Sequence, residues 1–205
     1  MLRISNRGIL FGLVPLLALT FDVCQHETNK LADLMNWRPG QVIAEIGAGE
    51  GQMTFAAAAR VGPAGHVYTT ELDAKKLADL QKEVRHRKLE NVSVVKAETI
   101  DTNLPENCCD GIFMRRVYHH FEDPAQTDAS IFRALKPGGL LAVIDFAPRQ
   151  GLPPVEGAPK NHAGHGIVKD VLIGELRSAG FEILTQQQNW PDGDYCVIAR
   201  KPGHS

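Results

Sequence analysis

The residues with chemical potential in this sequence are a glycine-rich stretch, a set of acids at the ends of apolar runs, and two groups of histidines. Glu45-Ile46-Gly47-Ala48-Gly49-Glu50-Gly51 leaves one apolar run and enters a segment containing Met53 and Ala56 to Ala59. Glycines at such a junction let the backbone turn sharply and let a ligand approach with no Cβ in the way. Their spacing is G-x-G-x-G. A dinucleotide fingerprint places its third glycine at position 52, which here is Gln52, whereas the third glycine is Gly51. Glu71 closes the next apolar run, 20 residues beyond Gly51, where a carboxylate can accept hydroxyl protons. Tyr118, His119 and His120 follow a later run, and His162 and His165 stand in the 20-residue stretch from Ala147 to Gly166. An imidazole takes up a proton near neutral pH, so His119 and His165 are the residues expected to serve as bases if a nucleophile must lose one. The alternative is that His120 packs at a helix start, His119 contributes backbone contacts and the other two are solvated. No metal is expected, because the imidazoles lack a cysteine or carboxylate at a recognised ligand spacing.

The elements that must position these residues follow from hydrophobic periodicity. Strands are predicted at 42–46, 67–70, 92–95, 112–114 and 140–144, several of them apolar on consecutive positions, as in parallel strands covered on both faces. Helical stripes lie between them: Leu77, Leu80 and Val84; Ala129, Phe132 and Leu135; Val168, Leu172 and Leu176, the last stopping at Gly180. Two further runs, Phe181 to Thr185 and Tyr195 to Arg200, flank Pro191-Asp192-Gly193, which predicts a chain reversal and an antiparallel pair. The fold class is therefore α/β: a doubly wound, Rossmann-like sheet, mostly parallel, ending in a C-terminal antiparallel strand pair. Eight of the residues from Ala147 to Gly166 are Pro or Gly, so that connection reads as a loop after the fifth strand, on the ligand side, long enough to cover a site.

Taken together, these segments resemble the class I S-adenosylmethionine-dependent methyltransferases. The G-x-G-x-G loop with Glu45 two residues ahead is similar to their motif I. Cys109 to Pro124, with its His119-His120 pair and Asp123-Pro124, looks like motif IV and the loop that follows it. Leu135-Lys136-Pro137-Gly138-Gly139-Leu140-Leu141 matches the family's Leu-Lys-Pro-Gly-Gly turn into strand five. The resemblance runs over roughly residues 27–201 and is generic to enzymes acting on small molecules. It implies S-adenosyl-L-methionine as cofactor, with Glu45, Gly47, Ala48, Gly49 and Gly51 around it. It places Glu71 and Leu72 at the ribose, Glu98 and Thr99 at the adenine, and Arg115 beside the cofactor. Glu98 is a departure, since the family more often carries Asp there. The implied reaction is in-line displacement of the sulfonium methyl group onto an O, N, S or C nucleophile of a small-molecule acceptor, for which the protein mainly supplies alignment and desolvation. Two rivals stay open. An NAD(P)-dependent oxidoreductase would share the sheet and Glu71, but Gln52 and the terminal antiparallel pair oppose it. A methyltransferase-like binding protein would keep the pocket without turnover.

Composition narrows the partners. The chain has 205 residues, 43% of them hydrophobic, with Lys+Arg 22 against Asp+Glu 24 for a net charge of −2. That excludes the basic footprint of a nucleic-acid binder, and one core and a monomer or weak homodimer are expected. The four cysteines stand singly at Cys24 and Cys196 and adjacently at Cys108 and Cys109, which reads as free thiols. Residues 1–24 are a candidate signal peptide or apolar anchor. Arg3 and Arg7 precede the 13-residue uncharged run Ile9 to Phe21, which is short for a membrane span and contains Pro15. On that reading the methyltransferase domain is 25–205 and the protein is exported or membrane-associated; otherwise it is cytoplasmic. Export would favour the non-catalytic rival, because little S-adenosylmethionine is met outside the cytoplasm.

Overall fold

The computed structural model describes residues 26–162 and 164–203. The expected leader or anchor at 1–24 lies outside the described residues, and no helix among the described residues is long and apolar enough to cross a membrane. A helix over 26–34 (α1) comes first. It is followed by β1 (Val42–Ile46), α2 (Gln52–Val61), β2 (His66–Glu71), α3 (Ala74–His86), β3 (Val92–Lys96) and β4 (Cys109–Arg115). A 3-10 turn at Tyr118–His120 leads into α4 (Pro124–Ala134), β5 (Leu135–Asp145), α5 (Lys169–Ser178), β6 (Glu182–Gln187) and β7 (Tyr195–Arg200).

The seven strands form one sheet in the order β3-β2-β1-β4-β5-β7-β6. Pairing is parallel from β3 to β5, while β7 lies between β5 and β6 and runs antiparallel to both. The expected doubly wound sheet with a terminal antiparallel pair is thus observed. The central strands are apolar on successive residues because helices cover both faces. Ile112, Phe113 and Met114 of β4 and Leu141 to Ile144 of β5 are wholly buried. One face packs Ile131 of α4 and Leu172 and Leu176 of α5. The other packs Leu31 of α1, Ala57 and Val61 of α2 and Val84 of α3.

Two helix stripes end differently from expectation. Leu135, predicted as the last residue of a helical face, begins β5, opposite Cys109; four residues then bulge out before Leu140 meets Gly111. Gly138, at φ +81°, makes that excursion possible. Val168 is the exposed N-cap of α5, and Ile173 takes the buried place beside Leu172 and Leu176. At the other end Gly180 is left-handed and the Phe181 amide bonds back to the Leu176 carbonyl, which closes the helix as expected.

The strand order reverses between β1 and β4. Ile46 is level with Thr70 on one side and Met114 on the other, so the segments leaving β1, β2 and β4 open at one edge of the sheet. Ligands of such sheets sit in that crevice.

Candidate functional site

A cleft of about 470 Å³ occupies this edge. Its walls include Gly47 and Gly49 after β1, Glu71 and Leu72 after β2, Glu98 and Thr99 after β3, and Arg115 after β4. Seven of the ten residues expected at the cofactor therefore line one space. Glu45, Ala48 and Gly51 do not. The buried Glu45 carboxyl accepts from the Thr54 hydroxyl beneath the loop, Thr54 in turn contacts Thr69, and burial pushes the Glu45 carboxyl up to about 8. Gly51 is the left-handed N-cap of α2, and a Cβ there would meet Leu80 Cδ1 at 2.4 Å. Its smallness serves packing.

Gly49 is different. It sits at φ +56°, and a Cβ built on it would meet nothing within 4 Å. Any side chain at this position would stand in the space a cofactor needs. Its amide donates to Glu71 Oε2 at 2.9 Å, while the Leu72 and Asp73 amides donate to Oε1 at 2.9 and 3.1 Å. Three amides thus fix a carboxylate that is 7% exposed at the cleft wall. A carboxylate offers about four acceptor positions, so one remains for an incoming hydroxyl. A second ribose hydroxyl would have to share an oxygen with an amide. Leu72, 52% exposed, offers the cleft an apolar surface beside this acid. Glu98 pairs with Lys96 at 2.9 Å in an exposed setting, which leaves its second oxygen unclaimed by that pair. These groups fit a nucleoside with a polar base edge and a ribose. The open cradle at Gly49 fits a chain passing close to the backbone.

Arg115 lines the cleft with its guanidinium already held. Its Nε donates to Glu27 of α1 at 2.9 Å, and a terminal nitrogen donates to Asp192 at 2.9 Å. Arg116 makes a two-pronged contact with the buried Asp194, at 2.8 and 3.0 Å, and Arg149 lies 3.5 Å from the same carboxylate. Trp190 Nε1 also donates to Glu27, at 2.6 Å. This network joins α1, the end of β4, the turn before β7 and the start of the long connection after β5. Arg115 is thus part of a scaffold as well as a cleft wall.

The two expected bases are brought together. The His165 ring lies 5.3 Å from that of His119 and 6.0 Å from that of His120. The connection that carries His165 folds back on itself: the Ile167 amide donates to the Phe146 carbonyl, and the Arg149 amide donates to the His165 carbonyl. Val155 and Glu156 of the same connection reach the cofactor cleft. His119 is 1% exposed, and its Nδ1 lies 2.8 Å from Asp145 Oδ1. His120 lines the cleft; burial, then the neighbouring His119 and His165, lower its affinity for a proton. His162 does not join them. Its Nε2 contacts both oxygens of Glu175 on α5, at 3.2 and 3.3 Å, and the ring is buried there. Tyr118 is removed from the list of bases, since its hydroxyl is wholly buried and donates to Asp128 at 2.7 Å. Burial raises its pKa further from neutrality.

Asp145, Glu27 and Asp194 were not singled out from the sequence. The signal for Asp145 was present, as an acid ending an otherwise apolar strand. Glu27 gave no signal, because nothing in sequence marks which acid of a helix will be buried. Among the described residues, no group of three or more His, Cys, Asp or Glu side chains is arranged to hold a metal ion. Cys108, Cys109 and Cys196 are free thiols.

Comparison with known proteins gives this geometry its context. The methyltransferase domain family matches residues 44–143. The ubiquinone/menaquinone biosynthesis C-methyltransferase UbiE of Vibrio cholerae is 32% identical over 116 residues, 56% of this chain and 45% of the relative. The chain spans about half the length of the curated relatives it matches. A solved SAM-dependent methyltransferase from Aquifex aeolicus superposes with a TM-score of 0.71 at 24% identity, over 84% of this chain and 88% of that one. The [4+2]-cyclase SpnF superposes with a TM-score of 0.72 at 20% identity, over 88% and 82%. The matched segment, running from β1 through β5 and containing the glycine loop, Glu71 and Glu98, belongs to the methyltransferase domain family.

Proposed function

We propose that the protein transfers a methyl group from S-adenosylmethionine to a small organic acceptor by in-line displacement. The observation that carries this reading is the pairing of an open glycine cradle at Gly49 with an amide-fixed Glu71 carboxylate across one cleft at the switch point of the sheet. When bound, the cofactor supplies an electrophilic methyl group on a sulfonium whose departure leaves a neutral thioether. The chain supplies the rest. Gly47 and Gly49 offer backbone to the amino-acid part of the cofactor, and Glu71 holds a ribose hydroxyl. Leu72 and Thr99 flank the adenine, and Glu98 receives its amino group. Arg115, braced by Glu27, closes the end of the cleft nearest α1. Val155 and Glu156 help to keep water out.

Calorimetric titration tests the reading directly. S-adenosylmethionine and S-adenosylhomocysteine are expected to bind to the wild-type chain, and NAD and NADP are not. Binding of a nicotinamide cofactor in their place would return the oxidoreductase alternative. Because one neighbour in fold is named as a cyclase, binding alone is insufficient. Transfer of a labelled methyl group to components of a small-molecule extract separates an enzyme from a protein that keeps the pocket without turnover.

A further inference from the structure

We propose that His119 and Asp145 form a proton-accepting pair in which His119 Nε2 takes the proton of a phenolic or enolic hydroxyl on the methyl acceptor. The inference rests on the methyltransferase reading and specifies its acceptor class. Asp145 ends β5 and is fully buried. Its Oδ1 accepts from the Phe146 amide at 2.9 Å and faces His119 Nδ1 at 2.8 Å; its Oδ2 accepts from the His119 amide at 3.2 Å. A carboxylate only accepts. The contact therefore assigns the ring proton of neutral His119 to Nδ1 and leaves Nε2 with a bare lone pair. That nitrogen is buried, and no hydrogen-bond partner meets it. Buried polar atoms in folded proteins are nearly always paired, and this lone pair, held in orientation by Asp145, is left able to accept a proton.

His120, which lines the cofactor cleft, connects this cluster of rings to it. The rings of His120, Phe146 and His165 stand 4.1, 4.9 and 5.3 Å from the His119 ring. Arg149 and Arg116 lie over the Phe146 ring at 4.2 and 5.7 Å, Lys76 of α3 acts on His120, and Tyr195 of β7 feels the Asp145 charge. Asp145 is the acid in hydrogen-bond contact with the imidazole. An acceptor whose nucleophile already carries a free lone pair has no need of this arrangement. A hydroxyl does, because its oxygen, or the carbon conjugated with it, becomes a competent nucleophile only as the O–H bond yields. In that step the O–H bond breaks, its electron pair stays on oxygen, and the proton forms the Nε2–H bond. The imidazolium is then neutralised by Asp145. His119 is the catalytic residue, and Asp145 positions it.

The test uses the full chain and has two arms. In the first, nitrogen-15 spectra of the imidazoles, with His119→Asn for assignment, are expected to show neutral His119 as the Nδ1–H tautomer, and Asp145→Ala is expected to move it toward Nε2–H. A wild-type His119 in the Nε2–H form overturns the proposal. In the second, methyl transfer is measured with catechol, 1,3-cyclohexanedione and benzylamine as probes. Transfer to catechol or the dione is expected, with a pH dependence of kcat that His119→Asn removes. His119→Asn should lower kcat by about 10²–10⁴-fold at unchanged affinity for S-adenosylmethionine. Asp145→Asn should move the pH limb downward, which a merely structural role would not do. Full turnover by His119→Asn, or transfer confined to benzylamine, overturns the proposal. If no probe is methylated, the tautomer result decides. Failure of the wild-type chain to bind S-adenosylmethionine refutes the methyltransferase reading instead and leaves the tautomer result standing.

Discussion

Replacing Glu71 by alanine removes a carboxylate that three amides hold in place and that keeps one acceptor position toward the cleft. A charge-assisted hydrogen bond contributes about 1.5–3 kcal/mol net of its exchange with water. The expected loss of S-adenosylmethionine affinity is therefore about 1.5–3 kcal/mol, or roughly 10–150-fold. Glu71→Gln keeps an acceptor oxygen without its charge and should fall between wild type and alanine. The assay is calorimetric titration at fixed ionic strength, with thermal melting as the folding control. The amides of Gly49, Leu72 and Asp73 lie at the cleft and can turn to water, so the melting temperature should change little. Less than a tenfold loss of affinity in a folded Glu71→Ala variant would refute the placement of the ribose.

Gly49→Val should abolish cofactor binding while the fold survives, since its Cβ meets no protein atom within 4 Å and the cost is the left-handed backbone, about 1–2 kcal/mol. Gly51→Val should instead lower the melting temperature sharply, because its Cβ would strike Leu80 and Phe55; the reverse ranking in titration and melting would overturn the division of roles within the loop. Burial raises the carboxyls of Glu45 to about 8 and of Asp128 to about 7. The folded state thus holds protons that the unfolded chain releases near pH 4, and stability should fall as pH rises from about 4 to 8. Melting curves across that window should flatten in Glu45→Gln and Asp128→Asn, and an unchanged slope in both would count against buried neutral carboxyls. His165→Ala should lower kcat by about tenfold with cofactor affinity unchanged, and full turnover would reduce His165 to a wall of the site.

What the sequence disclosed was local or periodic. The glycine loop, Glu71 and Glu98 were legible because each follows an apolar strand at a fixed interval, and parallel strands deliver their carboxyl ends to one edge. The meeting of His165 with His119 was legible for the same reason, since the connection from Ala147 leaves the sheet at that edge. Asp145 escaped because its meaning depends on His119, 26 residues away, and on a pairing of β4 with β5 that only the folded sheet creates. Glu27, Asp192 and Asp194 lie 77 to 88 residues from the Arg115 and Arg116 groups that donate to them, and read singly they look like solvated surface acids. His162, in the same stretch as His165, faces Glu175 and not the site, because helix α5 places an acid where a buried imidazole can reach it. The boundary at Leu135 shifted because its apolar side chain suits the last turn of a helix and the first residue of a central strand equally well.

The network that binds α1 to the mouth of the cleft contains three guanidinium groups, of Arg115, Arg116 and Arg149, and three carboxylates, of Glu27, Asp192 and Asp194. Its charges cancel within a few ångströms, so it projects little field beyond the surface. This network therefore adds little long-range attraction or repulsion for charged molecules arriving from solution. Discrimination is left to events inside the site, where shape and the presence of a removable proton are read.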